Sequence, residues 1–73
     1  MIIVRVEERR IDYIMFLVQQ LRDKGYMQGV DFDFAYYPEM YDGFTHGRKR
    51  YTNFMFYDEH LAMIFRLTIS NDN

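Results

Sequence analysis

An alternating segment runs directly into a helix-like one between Tyr51 and Ile69, and the rest of the chain can pack on this stretch. In its first part, Phe54 and Phe56 stand two positions apart, so a β-strand would place both rings on the same face. The other face would carry Asn53, Met55 and Tyr57. This pattern predicts a half-buried strand over residues 51–57.

The segment that begins at Asp58 fits two structures. Asp58 stands where a helix N-cap would, and Glu59 adds negative charge to the first turn. The following residues share one face of a helix: Leu61, Ile64, Phe65 and Thr68. The same stretch also alternates, so a fourth strand over residues 58–69 is an alternative to the helix.

The N-terminal segment, Met1 to Val6, alternates in the manner of a short strand. Ile3 and Arg5 take one face, and the opposite face is apolar throughout. The apolar face carries Ile2, Val4 and Val6.

The clearest helical pattern covers Glu8 to about Lys24. Its apolar positions recur three and four residues apart, and they are Ile11, Ile14, Met15, Leu17, Val18 and Leu21. Gly25 follows at once and can adopt the left-handed conformation that ends many helices. Phe16 falls on the polar side of the helix, so we expect its ring to need a second surface.

Residues 30–37, VDFDFAYY, show the cleanest alternation in the chain. One face would carry Val30, Phe32, Phe34 and Tyr36, and the other Asp31, Asp33, Ala35 and Tyr37. Pro38 ends this strand, because proline cannot donate to a strand ladder. A long hairpin loop with Gly43 and Gly47 then leads to the next strand.

The predicted order is strand, helix, strand, strand, helix. It indicates an α+β fold that resembles a ferredoxin-like sandwich without its last strand: a three-stranded antiparallel sheet with both helices on one face. The strand at residues 51–57 would be central. We expect the core to consist of Ile14, Val18, Phe32, Phe34, Phe54, Phe56 and Phe65.

The composition of the chain limits the number of domains, the cellular compartment and the classes of partner that we expect. The 73 residues suit one domain, residues 1–73, with a polar tail at 70–73 that we expect to fray. The absence of cysteine removes disulfides and thiolate metal sites, which favours a cytoplasmic protein. The net charge of -2, with both signs mixed, gives no overall attraction to nucleic acid or to an anionic membrane. No apolar run is long enough to span a bilayer, so we expect a soluble protein.

The residues that usually carry chemistry do not form a recognisable site. His46 and His60 are the only histidines, and their spacing does not bring them together with an acidic residue as metal ligands. Ser70, the only serine, lies in the tail, which argues against a Ser-His-acid triad. The four glycines form no phosphate-binding motif. The sequence therefore indicates neither an enzyme nor a cofactor.

The aromatic content of 19 % is high for a small chain, and aromatic side chains carry much of the area of protein interfaces. Met15 and Met63 are expected to fill the core, whereas two other methionines favour a flexible contact surface. The candidate interface residues are Phe16, Ile3, Arg5, Met40, Tyr41 and Met55. Our leading hypothesis is a small non-enzymatic protein-binding module.

A second copy of the chain is the first partner that we expect. As an edge strand, Met1 to Val6 would leave backbone groups unpaired, and neither proline nor an inward-facing charge protects it. Twofold pairing there would give a six-stranded sheet. We expect the contact to use this edge, Phe16, or both. Pairing at the edge would bring the two first helices of that homodimer side by side and cover Phe16 in the same step.

Nucleic-acid binding is the alternative function. The basic run Arg48, Lys49 and Arg50, in the loop at residues 45–50, would meet phosphates. The tyrosines on the outer sheet face would stack on bases, and they are Tyr37, Tyr51 and Tyr57. Asp31 and Asp33 would share that face, however, and their carboxylates would repel a phosphate backbone.

Residues 54–69, FMFYDEHLAMIFRLTI, resemble the strand and helix that end many small uncharacterised proteins of tailed bacteriophages. The shared features are alternating aromatics, an acidic cap, an alanine at Ala62, an aromatic at Phe65 and a terminal Leu-Thr at 67 and 68. This resemblance implies a phage accessory protein that binds and modulates a host protein in the host cytoplasm. It transfers no functional residue.

Overall fold

A computed structural model describes residues 1–40 and 47–71 of the chain. Its elements are β1 (Ile2–Glu7), α1 (Ile11–Asp23), β2 (Phe32–Tyr37), β3 (Tyr51–Phe56) and α2 (Glu59–Asn71). The strands form one antiparallel sheet in the order β1-β3-β2. The predicted α+β class, element order and central strand are confirmed.

The strand registers divide the sheet residues between two faces. Val4 of β1 lies opposite Phe54 of β3, which in turn lies opposite Phe34 of β2. This face packs against both helices in one apolar cluster, to which α1 contributes Ile14, Leu17, Val18 and Leu21, and α2 contributes Leu61, Ala62 and Phe65. Both helices lie on this side, so no described helix covers the opposite face, which is called the open face below.

Phe54 stands at the centre of the core. Its ring is fully buried, with its centroid 4.6 Å from that of Phe65 and 5.8 Å from that of Phe34. Of the seven residues predicted to form the core, all are buried except Phe34, which is half-buried and packs against the cluster.

The segment after β3 is helical, so the alternative of a fourth strand at residues 58–69 is wrong. The Asp58 carboxylate accepts a hydrogen bond from the N–H of His60 at 2.9 Å, as expected of an N-cap. Ala62 is buried, and its small side chain allows the helix to approach the sheet closely. The helix continues to Asn71, so residues 70 and 71 are helical where we predicted a frayed tail.

Helix α1 begins at Ile11 rather than at Glu8, because the preceding residues carry the chain away from the sheet. Glu8 has a φ of 59°, and Arg10 is extended. Ile11 and Met15, which we predicted on the apolar stripe, are both exposed, since the helix turns the side that carries Leu17 toward the sheet. Met63, also predicted in the core, is 51 % exposed on α2.

Strand β2 begins at Phe32, and Val30, predicted to point inward, is 62 % exposed. The reason is a tight turn. The N–H groups of Val30 and Asp31 both donate to the carbonyl of Met27, at 3.1 and 2.8 Å. The Asp31 carboxylate in turn accepts the N–H of Met27 at 2.8 Å, so Asp31 closes the turn and precedes β2.

Gly25 ends α1 as predicted, with a φ of 94°. Its N–H donates to the carbonyl of Arg22 at 2.9 Å. Within residues 1–40 and 47–71, neither helix is long and apolar enough to cross a membrane.

Candidate protein interface

The free edge of β1 carries backbone groups that no other described residue bonds. The N–H of Glu8 donates to the carbonyl of Arg50 at 2.9 Å, which continues the register of β1 on β3. Alternate residues of an antiparallel strand face the neighbouring strand, so Val4 and Val6, like Glu8, direct their backbone groups toward β3. The N–H and C=O groups of Ile3, Arg5 and Glu7 therefore point away from the sheet.

The chain itself protects part of the edge of β2, at Phe32 and Phe34. The N–H of Phe34 points outward and donates to the carboxylate of Asp33 at 2.8 Å. The carbonyl of Phe32 also points outward, and it accepts the N–H of Gly29 at 2.7 Å from the turn before the strand. Pro38 follows the end of β2 and offers no N–H. These are devices that prevent an edge from pairing, and β1 carries none of them among the described residues.

A groove lies at the Ile2 end of β1, against the first two turns of α2. Helix α2 packs over both β1 and β3. The groove has a volume of about 560 Å³, and its apolar lining comes from Ile2, Ala62 and Met63. Its polar rim carries Asp58, Glu59, His60 and Arg66. A strand added to β1 would place an inward side chain beside this groove at the Ile2 end of the edge.

The sheet brings three of the predicted interface residues together. Ile3 and Met55 are direct cross-strand partners on the open face, and Arg5 is the next residue of β1 on that face. Met40 lies beyond the far end of β2, where it forms an isolated antiparallel bridge with Arg48. Tyr41 lies outside the described residues.

Phe16 is exposed as predicted, but it does not lie beside the β1 edge. Its ring is 52 % exposed on α1, with its centroid 6.4 Å from that of Tyr13. The helix that packs over β1 is α2, not α1. The prediction that pairing through β1 brings the first helices together and covers Phe16 is therefore wrong in its choice of helix.

Two of the tyrosines that were predicted to contact nucleic acid stack on each other. The rings of Tyr37 and Tyr51 are 4.7 Å apart between centroids, at an interplanar angle of 18°. The guanidinium of Arg5 lies 3.9 Å from the centre of the Tyr51 ring. Since β1 and β2 flank β3, these two partners approach Tyr51 from opposite sides. Side chains of the chain itself therefore occupy the surfaces on which a base would stack on Tyr51.

The basic loop residues also have partners within the chain. Arg48 donates to the carbonyl of Pro38 at 3.2 Å, and its guanidinium lies 5.4 Å from the centre of the Tyr51 ring. The Lys49 ammonium lies 2.9 Å from a carboxylate oxygen of Glu8, and this hydrogen bond raises the pKa of Lys49. Arg50 is half-buried.

Tyr57 lies apart from the other two tyrosines. It is 58 % exposed and follows the end of β3 that is opposite to Tyr51, about 20 Å away. Asp33 keeps a carboxylate on the open face, as predicted. This arrangement favours the protein-binding hypothesis over the nucleic-acid one.

The chain was compared with protein-family models, with curated proteins and with solved structures. None of the three comparisons found a match. The resemblance to bacteriophage proteins thus depends on residues 54–69 alone.

The described residues include no group of three or more His, Asp and Glu side chains that are placed to hold a metal ion. His60 is exposed in the first turn of α2, as the sequence predicted. His46 lies outside the described residues.

The sequence interpretation missed the groove because it assigned Met63 to the core. The signal was present, since Met63 stands two residues from both Leu61 and Phe65, about 200° around a helix from each. Leu61 and Phe65 are buried, so Met63 turns away from the core. The partly protected β2 edge had no comparable signal, because an aspartate on a strand reads as ordinary alternation.

Proposed function

We propose that this chain is a small non-enzymatic protein-binding module that takes up an extended segment of a partner as an additional strand on β1. The contrast between the two sheet edges carries the proposal. The chain satisfies the outward carbonyl of Phe32 and the outward N–H of Phe34 on β2, whereas no described residue bonds the outward groups of Ile3 and Arg5 on β1. Strand addition is a common mode of peptide recognition that uses such groups.

The groove gives this edge a preference for certain segments. Backbone hydrogen bonds supply affinity for any extended chain, and side-chain pockets supply selectivity. Inward side chains of the added strand would contact Ile2, Ala62 and Met63, so apolar residues are favoured at alternate positions. Outward side chains would lie beside Ile3 and Arg5 on the open face.

As its biological role, we propose that this module is a bacteriophage accessory protein that binds and modulates a host protein in the host cytoplasm. It is supported by the resemblance of residues 54–69 and by the open edge, which suits capture of a segment of another protein. The added strand would occupy the place of the last strand in a ferredoxin-like sandwich.

Arg5→Pro tests this proposal, because Arg5 directs its N–H away from β3. Proline there removes an outward donor and places its ring at the free edge, while the bonds between β1 and β3 stay intact. The matched control is Arg5→Thr, which removes the same charge and keeps the N–H. With immobilised protein and a bacterial lysate, we expect specific partners to be retained by the parent and by Arg5→Thr and to be lost with Arg5→Pro.

The identity of the retained proteins is established by mass spectrometry. Retention of the same partners by Arg5→Pro would contradict binding by strand addition. At concentrations low enough for both variants to be monomers, neither is stabilised by association, so their thermal melts should agree. Agreement shows that Arg5→Pro acts on the edge and not on the fold.

A further inference from the structure

We infer that a second copy of this chain binds the open edge of β1 and forms a twofold dimer with a continuous six-stranded sheet. This inference rests on the proposed function, and it names the partner. The first support is that β1 itself has apolar residues at alternate positions, which is the pattern that the groove favours in an added strand. Ile2, Val4 and Val6 form the inward face of β1, and in a second copy they would face the same layer of helices.

The backbone groups of β1 are self-complementary about Val4. Antiparallel pairing centred there places Ile3 opposite Arg5 of the second copy, and Arg5 opposite Ile3. Both residues direct their N–H and C=O groups to the free edge, so each pair exchanges two hydrogen bonds. Four bonds thus surround the twofold axis, and the two Val4 residues form a non-hydrogen-bonded pair.

Charge repulsion and the length of strand overlap favour the register centred on Val4 over the neighbouring registers. Pairing centred on Arg5 would set the two guanidinium groups directly opposite each other, which is destabilising. Pairing centred on Ile3 would overlap only Ile2 to Val4 of β1, whereas the register centred on Val4 overlaps Ile2 to Val6. A shift of the second copy by a single residue would turn its apolar face outward.

The helices also fit this arrangement. Helix α2 packs over both β1 and β3, so its axis lies near the line between the two strands. With strands about 4.8 Å apart, the two α2 axes would be about 10 Å apart, which is within the usual distance for packed helices. The second α2 would then cover the groove and the exposed side chain of Met63.

Sedimentation velocity tests the choice of partner. At ~100 μM we expect the parent and Arg5→Thr to be dimers and Arg5→Pro to be a monomer, since loss of two hydrogen bonds and the added ring weaken association about a hundredfold or more. A parent that is monomeric at this concentration overturns the inference. If edge-dependent capture of other proteins persists in that case, the proposed function stands without the dimer. A dimer of Arg5→Pro also overturns the inference, whereas only retention of the same partners by Arg5→Pro contradicts the proposed function.

Single cysteines test the register, because the chain has none of its own. Val4→Cys places two thiols opposite each other across the axis, where cross-strand distances allow a disulfide. Val6→Cys is the matched control, since Val6 is equally buried on the same face but lies about 14 Å from its copy in the second chain. Mild oxidation should link Val4→Cys into a covalent dimer and leave Val6→Cys unlinked, and the reverse result would overturn this register.

Discussion

Phe54→Ala should destabilise the domain by about 3–5 kcal/mol, which is enough to unfold most of a population whose total stability is near the lower end of the usual range. The ring is fully buried on the central strand and packs against Phe34, Phe56 and Phe65. Its removal leaves a cavity that the surrounding strands and helix cannot close without moving. Urea denaturation followed by circular dichroism measures the free energy of unfolding.

Phe16→Ala is the matched control, because it makes the same substitution at a ring that is 52 % exposed. Its cost should stay below about 1 kcal/mol. Equal costs for the two variants would show that Phe54 does not occupy the centre of the core and that the register of β3 is shifted by one residue.

Val4→Pro and Arg5→Pro should differ sharply in stability although the two positions are adjacent. Val4 directs its N–H toward β3, so proline there breaks the ladder, truncates a buried side chain and costs about 3 kcal/mol or more. Arg5 directs its N–H to the free edge, and an edge strand tolerates proline at such a position. At concentrations where both variants are monomers, we expect Arg5→Pro to retain a cooperative urea transition close to that of Arg5→Thr.

This comparison tests which residues of β1 face outward. Loss of the cooperative transition in Arg5→Pro, with its retention in Val4→Pro, would mean that the hydrogen-bonding pattern is reversed. The strand addition proposed for Ile3 and Arg5 would then be wrong.

Periodicity predicted the fold well because every element buries one face. Phe54 and Phe56 fixed the inner face of β3, and Asp58 marked the start of α2. The errors fell where local hydrogen bonds override the alternation. Val30 continues the pattern of β2, yet the turn closed by Asp31 removes it from the sheet.

The candidate interface was less predictable than the fold. The sequence indicated an open edge at Met1 to Val6, and Ile3 and Arg5 do lie there. The orientation of backbone groups and the choice of the helix above β1 depend on strand register and helix placement, which no single segment encodes. Phe16 and Met40 were assigned to an interface because they are exposed, but neither is adjacent to β1.

The two edges of the sheet differ in how the described residues protect them. An unprotected edge invites unwanted pairing, and the chain protects part of β2 with Asp33 and with the turn at Gly29. No described residue protects β1 in this way, and this difference supports the proposal that a partner strand binds there.

Amide hydrogen exchange at Ile3 and Arg5, followed by NMR, tests strand addition on β1 most directly. At about 10 μM these two amides should exchange rapidly, while those of Val4 and Val6, bonded to β3, exchange slowly. At about 500 μM, or with a captured partner present, new hydrogen bonds at the free edge should slow the exchange of the Ile3 and Arg5 amides by about tenfold or more. The exchange rates of the Val4 and Val6 amides should change little. If the amides of Ile3 and Arg5 exchange rapidly in a sample that sedimentation shows to be associated, strand addition on β1 is contradicted.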